Sequence, residues 1–415
     1  MTTPYEAAAA TYRPILDKIA ERAVEAERTR TLPHEQIGWL REAGFGAARI
    51  PVELGGDGLS WPEYSRLLTE LAAADSNVLQ ALRGHIALVE DQLFHHPGQD
   101  RSRWISRFVA GQIAGNAWTE PGAGGVSTTL DDGPAGLTVT GRKYYTTGSI
   151  YADWIDVTAR GADGTDLTLI VAAGADGVTT TDDWDGFGQR LTGSGTTVFD
   201  QAPVEPDAVF TFAGRFPYQT ALYQHVHLIT LAGIARAAAR DAADEVRART
   251  RTFGHGNGPR VRQDPQVLQV VGEIEATSFA AEAVVQHVAG SLEAAFASRG
   301  AGAEEQRAVS ERAELATAQG QVVLSASVPR AATAIFDGLG ASATSTTKAL
   351  DRHWRNARTV ATHNPAIYKA RIVGDWAVNG AAPPTVWSIG VQPVGGEADS
   401  VTTGNTTAPS ALQRS

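Results

Sequence analysis

The chain contains no cysteine and a single methionine among its 415 residues. The absence of thiols excludes disulfides, iron–sulfur clusters, thiolate metal sites and thiol nucleophiles. A formal net charge of -11 disfavours nucleic acid as the main partner, because phosphate binding requires a basic face. No apolar run reaches the length of a membrane span, and the N-terminal residues show neither a basic leader nor a long apolar segment. We therefore expect a soluble, cytoplasmic protein with no metal and no nucleic-acid or membrane partner.

The first third of the chain is predicted to be helical. Residues from Pro4 to Thr29 carry apolar side chains at helical spacing. A second helix is expected over residues 33–43, where glycines follow. Ser60 is a good N-cap for a third helix. Pro62, near the first helical positions, indicates the same helix start. Helical patterning then continues, with breaks, to about residue 110.

The middle of the chain changes to the alternating pattern of β-strands. Residues 137–140, 154–159 and 167–171 alternate apolar and polar side chains. Asp-Gly-Pro and Asp-Gly turns separate these runs. Residues 111–209 therefore predict a small antiparallel β-domain, with strands arranged as a barrel or sandwich rather than as βαβ units.

Helical periodicity returns in the last part of the chain. We expect helices over residues 228–251, 266–297 and 304–328, and a final helical region over 331–378. The order α, β, α predicts an α+β protein of three domains, covering residues 1–112, 113–212 and 213–390. A polar tail over 391–415 has little to bury.

Three segments carry the functional signal, namely residues 116–125, 183–199 and 350–365. In the last of these, Arg352, Arg355 and Arg358 recur every three residues and would form one cationic ridge on a helix. Alone, that ridge predicts a salt-bridged helix at a domain or subunit boundary. Together, the three segments resemble the acyl-CoA dehydrogenase superfamily, and more closely its flavin-dependent monooxygenase branch, which includes dibenzothiophene monooxygenase.

This resemblance implies an acyl-CoA dehydrogenase-like fold, with an N-terminal helical domain, a central antiparallel β-domain and a C-terminal helical bundle. It also implies a two-component enzyme that takes reduced FMN, or alternatively FADH2, with O2 as co-substrate. Oxygen would be carried as a hydroperoxide on the flavin and passed to a small hydrophobic substrate at sulfur or nitrogen. A separate NAD(P)H-dependent flavin reductase would supply the reduced flavin, and the protein would be a homotetramer.

Two other functions stay open at this level. The first is an FAD-dependent acyl-CoA dehydrogenase that oxidises an acyl thioester, with Glu275 as a conceivable base. The second is a flavin-fold binding protein without catalysis. Dehydrogenases of the family carry a catalytic glutamate in or near the third segment, whereas this chain has His363 there and no carboxylate beside it. Relatives in the monooxygenase branch often have a second histidine three residues earlier, where this chain has Val360.

The resemblance assigns candidate catalytic positions. Asn116 would contact the reactive edge of the flavin, since an amide can both donate and accept hydrogen bonds. Thr147 would lie beside the oxygen-binding carbon, and Gly148 would permit close backbone approach. His363 would control the proton of the peroxide. His85, on the helical domain, is a further candidate on the substrate side.

The resemblance also assigns cofactor contacts. Thr119 would meet the polar atoms of the flavin ring, and Trp184 would shield one face of the ring. Thr192 and Ser194 would hydrogen-bond the ribityl chain or the phosphate. A dry enclosure around the ring would be formed by aromatic residues, namely Trp118, Tyr145, Trp184 and Phe187.

The phosphate contacts are expected on the C-terminal part of the chain. Arg251 aligns with the phosphate-binding arginine of the family, which reaches the cofactor of a neighbouring subunit, and Arg249 is close enough to be the ligand instead. Guanidinium groups pair well with phosphate. Ser342 and Lys348 lie in a glycine- and hydroxyl-rich segment before a helix, which favours an anion. Some relatives carry an arginine near Ser342 that this chain lacks, so the choice between FMN and FAD stays open.

Overall fold

The computed structural model describes residues 3–96, 98–120, 127–134 and 136–385. Residues 121–125 of the first flavin segment and the predicted polar tail lie outside this part of the chain. The helices of the described residues are α1 (Pro4–Thr29), α2 (His34–Glu42), α3 (Trp61–Ala74), α4 (Ser76–Ala81), α5 (Arg83–His95), α6 (Ser102–Val109), α7 (Gln219–Ala248), α8 (Pro265–Ala297), α9 (Ala303–Leu339), α10 (Asp351–Ala361) and α11 (Ala366–Asn379).

Helix α1 begins and ends where its periodicity predicts. Thr3 and Glu6 form a capping box at its start, each side chain bonding the backbone N–H of the other. Helix α3 begins in the same way, because the predicted N-cap Ser60 forms a capping box with Glu63. These caps satisfy backbone donors that would otherwise lack partners at the helix ends.

The central strands form one sheet, and every strand run predicted from alternation is present. Eight strands are hydrogen-bonded in the order β6-β7-β3-β2-β4-β5-β8, with β1 beside β4. The strands are β1 (Ala114–Ala117), β2 (Thr129–Gly133), β3 (Gly136–Lys143), β4 (Trp154–Arg160), β5 (Asp166–Ala172), β6 (Val178–Thr181), β7 (Thr196–Pro203) and β8 (Val209–Thr211).

The sheet is mixed, whereas the sequence predicts an antiparallel one. Strand β1 runs parallel to β4 over four residue pairs, and β2 meets β4 in parallel at Thr129 and Arg160. The remaining pairings are antiparallel. Alternation of side chains reports which residues share a face, but it does not report strand direction.

One of the C-terminal helices, α9, is longer than predicted. Helix α7 begins at Gln219, where helical periodicity returns in the sequence after residue 218, and it includes most of the run predicted over residues 228–251. Helix α9 runs to Leu339 and passes through Pro329, where the sequence predicts an end. An internal proline costs a helix about 3 kcal/mol. Here Val328 and Pro329 are both buried in the bundle, and this packing offsets the cost.

One helix of the described residues, α9, is long and apolar enough to cross a membrane by length and composition. It packs along α7 and α8 and also contacts α10 and α11. The core helix of a helical bundle can have the same length and apolar composition, and α9 packs against its neighbours as such a helix does.

Helix α7 connects two hydrophobic cores. The larger core runs from the N-terminal helices through the sheet to the first half of α7, which includes Leu228 and Ile234. The second core surrounds the other half of α7, at Ala238 and Val246, and adds residues from α8 and α9. Side chains at the two ends of α7 therefore lie in different parts of the molecule.

Candidate active site

Three hydroxyl side chains form a buried row between β3 and β7. Thr147 follows β3 and Ser194 precedes β7, and their hydroxyl oxygens are 2.8 Å apart. Ser194 Oγ lies 2.7 Å from Thr192 Oγ1, and Thr192 donates to the carbonyl of Gln189 at 3.0 Å. All three hydroxyl residues are buried. The structure thus brings together three of the residues predicted for the flavin site.

Asn116 on β1 lies against this hydroxyl row. Its backbone N–H donates to the carbonyl of Thr147 at 3.2 Å, and its side-chain amide lies 3.4 Å from Tyr223 Oη. Helix α5 approaches closely here, because a Cβ on Gly84 would lie 2.7 Å from the Cβ of Asn116. Glycine at position 84 is therefore required for α5 and β1 to pack at this distance.

The loop over residues 183–195 is held between the two helical parts of the molecule. Asn356 Oδ1 on α10 accepts from the N–H of Gln189 at 2.6 Å. Asn77 Oδ1 on α4 accepts from the N–H of Leu191 at 3.3 Å. A Cβ on Gly188 would lie 2.1 Å from the carbonyl oxygen of Arg355, so the loop contacts α10 through bare backbone. These contacts fix the segment that carries Thr192 and Ser194.

The predicted cationic ridge lies on α10, where two of its three arginines are salt-bridged. Arg352 pairs with Asp241 of α7 at 2.5 Å, and Arg355 pairs with Glu27 of α1 at 2.6 Å. The structural interpretation of the ridge is thus confirmed for these two arginines, which tie α10 to α1 and α7.

Trp118 lies inside the site, with its ring centroid 5.1 Å from that of Tyr223 and 5.5 Å from that of Phe212. Its backbone neighbour Thr119 accepts from the N–H of Tyr144 at 2.8 Å. This bond pairs the segment after β1 with the end of β3. The indole Nε1 of Trp118 is buried and lies toward Asp156, where it opposes the rise in the pKa of that carboxyl.

The other predicted aromatic residues lie nearer the surface. Trp184 donates from its indole N–H to the carbonyl of Gly188 at 3.2 Å, and its ring meets Tyr145 edge-on at 5.8 Å. Phe187 stacks on Trp354. Tyr145 is 48% exposed and Phe187 is 54% exposed. Within one chain these two side chains do not seal an enclosure.

His363 follows α10 and lies against a second imidazole. The ring centroids of His363 and His227 are 4.1 Å apart. His227 belongs to α7, one helical turn after Tyr223, so both side chains project from the same face. A second imidazole therefore lies beside His363, and it comes from a different helix.

Both imidazoles are held neutral. Burial lowers the pKa of His227 well below its usual value, and His363 and Arg83 lower it further. The pKa of His363 is lowered by desolvation and by the charge of Arg83. The side chain of His363 is exposed, and solvent therefore reduces the size of this pKa shift but not its direction. We call the region bounded by His363, His227, Tyr223 and Arg83 the cleft.

The charge of Arg83 lowers the pKa of both histidines. Its guanidinium lies over the ring of Tyr223, 5.0 Å from the centroid. The side chain is buried, and it makes no hydrogen bond or ion pair with any described residue. Burial lowers the pKa of Arg83. The cleft therefore contains a positive charge without a counter-charge.

Two carboxylates of this part of the sheet are already paired. Glu120 binds Lys143 Nζ at 2.5 Å, and that ion pair and further hydrogen bonds lower the pKa of Glu120 to about 2 against the effect of desolvation. Asp156 lies 3.2 Å from Arg215, and burial raises its pKa to about 6 although Arg215 opposes the rise. Neither carboxylate is free to remove a proton from a substrate. Glu275 is exposed on α8.

His85 is buried behind β1 rather than at the cleft. Its Nε2 lies 2.9 Å from the carbonyl of Gly46, and its Nδ1 accepts from the N–H of Ala114 at 3.3 Å. Burial lowers the pKa of His85 to about 4, which favours the neutral tautomer that these two bonds require. Since backbone groups engage both ring nitrogens, we assign His85 a structural role.

The predicted phosphate residues gather at the far end of α7. Arg249 donates to Ser342 Oγ at 2.5 Å, Lys348 pairs with Glu245, and Arg251 is exposed in the following loop. A helix rises 1.5 Å per residue, so about 33 Å separates Arg249 from the level of His227. Within one chain, this group cannot share a cofactor with the hydroxyl row.

Three residues of the cleft carry no motif in the sequence, namely Arg83, Tyr223 and His227. The signal available was weak: α7 reads LYQHVHLI, in which histidines interrupt an apolar run, and Arg83 opens the run RGHIAL. A buried polar side chain without a local partner indicates a long-range contact or a ligand. The sequence alone does not say which.

Two family models match the chain. The model described as the acyl-CoA dehydrogenase N-terminal domain matches residues 5–112, and the model described as its C-terminal domain matches residues 226–366. Between them lies the sheet that carries the hydroxyl row.

Among characterised sequences, the chain is 28% identical to a probable FMNH2-dependent monooxygenase, SfnC, of Pseudomonas putida, across 94% of this chain and 99% of that protein. It is 27% identical to the dibenzothiophene monooxygenase of Mycolicibacterium goodii, across 89% and 93%. Similar structures include the methanesulfinate monooxygenase MsuC of Pseudomonas fluorescens, with a TM-score of 0.82, 27% identity and coverage of 93% and 99%. TdsC of Paenibacillus sp. A11-2, solved with FMN and indole, gives a TM-score of 0.80, 27% identity and coverage of 90% and 98%.

Proposed function

This chain belongs to the acyl-CoA dehydrogenase superfamily, and from that membership we propose that it is a monooxygenase that uses reduced FMN and dioxygen to oxygenate a small substrate at sulfur. The relatives named above are FMNH2-dependent or sulfur-compound monooxygenases that match this chain along nearly its whole length. Their names support both the cofactor and the reaction class.

The observation that carries the proposal is the pair of adjacent imidazoles at the cleft. His227 and His363 lie 4.1 Å apart between ring centroids, and the carboxylates Glu120 and Asp156 are occupied by ion pairs. Removal of an α-proton from a thioester needs a free base of suitable pKa. Two neutral imidazoles, each with one N–H donor, suit the control of a proton instead.

The residues present fit a flavin ring. The ring needs hydrogen-bond donors and acceptors at its polar edge, and aromatic or apolar cover for its faces. Trp118 carries a buried indole N–H, and Asn116, two residues earlier, offers a side-chain amide. Each hydroxyl of the row retains acceptor capacity beyond its bond to the next hydroxyl. We therefore assign the ring edge to Asn116, Trp118 and Thr147, with Thr192 and Ser194 toward the ribityl chain.

When bound, reduced FMN supplies the two electrons that activate dioxygen. Asn116 and Thr147 would orient the reacting oxygen through their side-chain hydrogen bonds. His363 would donate its ring N–H to the reacting oxygen, and His227 would fix the orientation of that ring. The packing of Trp118, Tyr223 and Phe212 would exclude water from the inner side of the cleft.

The phosphate of the cofactor is assigned to a neighbouring subunit. Arg249 lies about 33 Å from the level of His227 along α7, Ser342 accepts a hydrogen bond from Arg249, and Arg251 is exposed in the following loop. A homotetramer with shared cofactor sites would bring this end of α7 to the hydroxyl row of another copy. We also propose a cytoplasmic location and a separate NAD(P)H-dependent reductase as the source of reduced FMN.

The proposal is tested by reconstitution. The purified protein is supplied with FMNH2, with dioxygen labelled with ¹⁸O and with a thioether or sulfinate, and the product is analysed by mass spectrometry. We expect one labelled oxygen atom in each product molecule. Bleaching of the oxidised, flavin-loaded protein by an acyl-CoA, with no labelled product, would identify a dehydrogenase instead.

A further inference from the structure

We propose that Arg83 is the binding residue for an anionic substrate, so that this protein oxygenates small organic sulfur anions such as alkanesulfinates rather than neutral thiophenes. The inference deepens the function proposed above and rests on it. In this proposal, the anionic substrate supplies the counter-charge that Arg83 lacks among the described residues.

Burial of the Arg83 guanidinium without a partner is unfavourable, because the charge loses its hydration. Arg83 is 6% exposed, and it has no ion pair or hydrogen bond within the described part of the chain. Buried charges in proteins are normally paired, because an isolated one loses its hydration without compensation. Four other arginines of the described residues are buried. Arg49, Arg215 and Arg352 have carboxylate partners, and Arg101 donates to the side-chain carbonyls of Gln92 and Gln99. Arg83 departs from this pattern in a way that an anionic ligand would correct.

Arg83 lies close to the residues assigned to the reaction. Arg83 opens α5 directly before Gly84, the residue that packs on Asn116. Its guanidinium covers the ring of Tyr223, whose hydroxyl lies next to the Asn116 amide. Its charge acts on His227 and His363. The cation therefore lies beside Tyr223, close to Asn116 and to the two histidines.

The hydrogen-bonding geometry of a guanidinium matches that of a sulfinate. A guanidinium binds a two-oxygen anion through parallel N–H···O hydrogen bonds. A sulfinate, R–SO2⁻, has two such oxygens and keeps a lone pair on sulfur that an electrophilic oxygen can attack. Binding of its oxygens by Arg83 would leave that lone pair free to face the reacting oxygen near Asn116. A neutral thiophene offers the guanidinium no counter-charge.

The overall step balances with the components already named. R–SO2⁻ + O2 + FMNH2 gives R–SO3⁻ + H2O + FMN. The O–O bond of dioxygen is broken. One oxygen atom forms a new S–O bond with the sulfur lone pair, and the sulfinate is oxidised to a sulfonate. The other oxygen atom takes the two protons and two electrons released by FMNH2 and leaves as water.

Reduced FMN carries negative charge on its ring, so it is a second source of an anion for Arg83. Binding measurements without turnover separate the two. Dissociation constants are measured for oxidised and reduced FMN, and for methanesulfinate on the FMN-loaded protein. Dimethyl sulfone serves as the neutral ligand of similar size. Wild type is compared with Arg83→Gln, Arg83→Lys and a matched control, Arg107→Gln. Arg107 also lies over an aromatic ring and has an unpaired buried nitrogen, but it is on α6.

We expect wild type and Arg107→Gln to bind methanesulfinate more tightly than dimethyl sulfone. Arg83→Gln should weaken methanesulfinate binding at least tenfold and leave both FMN affinities unchanged. Arg83→Lys keeps the charge and should show an intermediate affinity. Loss of reduced-FMN affinity with unchanged methanesulfinate binding would overturn the proposal in favour of a cofactor role. Unchanged affinity for both ligands would also overturn it.

The binding measurement and the oxygenation assay can succeed or fail separately. Methanesulfinate binding through Arg83 can be present in a protein that transfers no oxygen, and that outcome would contradict the monooxygenase function alone. Oxygenation of a neutral thioether, combined with no Arg83-dependent binding of methanesulfinate, would contradict the substrate class alone.

Discussion

At the scale of single residues, the flavin-site positions divide into those that short motifs predict and those that they do not. Thr147, Thr192 and Ser194 lie in segments that match the family, and the structure brings their hydroxyl groups within hydrogen-bond distance of one another. Arg83 and His227 lie on helices whose local pattern is ordinary. Their proximity depends on how α5 and α7 pack, and such long-range contacts leave no periodic signal in one sequence.

The hydroxyl row gives a prediction at this scale. Thr147→Val removes the hydroxyl that bonds Ser194 Oγ and keeps the shape of the side chain. We expect FMN binding to weaken by about fivefold, since one lost hydrogen bond amounts to roughly 1 kcal/mol. Fluorescence titration with FMN measures the effect. Thr179→Val, at an exposed position on β6, is the control; an equal loss of affinity in both variants would show that the row has no special role.

At the scale of elements, the ends of helices were predicted well where a cap or a glycine marks them, as for α1 and α3. They were predicted poorly where tertiary packing overrides local chemistry. Helix α9 continues through Pro329 because its flanking residues are buried. The parallel pairing of β1 with β4 was also missed, because strand direction depends on the path of the chain through the helical domain. Neither feature can be read from periodicity.

The buried ion pair between Lys143 of β3 and Glu120 gives a prediction at this scale. Lys143→Met leaves the carboxylate of Glu120 without its buried partner. We expect a loss of about 3–5 kcal/mol in the free energy of unfolding, the usual cost of breaking such a pair from one side. Urea denaturation measures this value.

The surface pair of Arg160 and Asp166 is the matched control. Arg160→Met should cost about 0–1 kcal/mol, because solvent screens exposed pairs. Destabilisation of equal size by Lys143→Met and Arg160→Met would contradict the assignment of Glu120 as a fixed structural group.

At the scale of the whole molecule, the two groups of predicted cofactor ligands lie at opposite ends of α7. Composition and periodicity predicted the α, β, α order, yet they could not reveal this separation, because it depends on the length of one helix. The arrangement supports a cofactor shared between subunits. In such an assembly, the residues predicted to contact the flavin ring and those predicted to contact its phosphate would come from different subunits.

The shared site predicts an effect of a distant arginine. Arg251→Gln should weaken FMN binding by about tenfold, since a charge-assisted contact to phosphate is lost. Arg262→Gln, an exposed arginine further along the same connection, is the control and should bind FMN as wild type does. Sedimentation should give a tetramer for all three proteins. Unchanged FMN affinity in Arg251→Gln would remove this residue from the site.

Buried neutral histidines predict acid sensitivity. Burial lowers the pKa of His225 to about 3 and that of His353 to about 4. In the unfolded chain these groups titrate near pH 6.5. The unfolded state therefore binds more protons below that pH, so their contribution to stability is complete above pH 6.5 and is lost as the pH falls toward 4.

Melting temperature measured against pH tests this. Wild type should lose stability steadily between pH 6.5 and pH 4. His225→Phe should be less stable at pH 7 but show a shallower decline, while His287→Gln, at an exposed position on α8, should keep the wild-type slope. A melting temperature that does not change across this range would contradict the burial of neutral imidazoles.

The most direct measurement is the ratio of hydrogen peroxide to oxygenated product, determined in wild type and in His363→Ala with FMNH2, dioxygen and methanesulfinate. The cleft, with its imidazole pair in place of a free base, predicts mainly product from wild type. It predicts mainly peroxide from the variant, with FMN affinity unchanged. Equal ratios in the two proteins, or peroxide alone from both, would contradict the assignment of His363 to oxygen transfer.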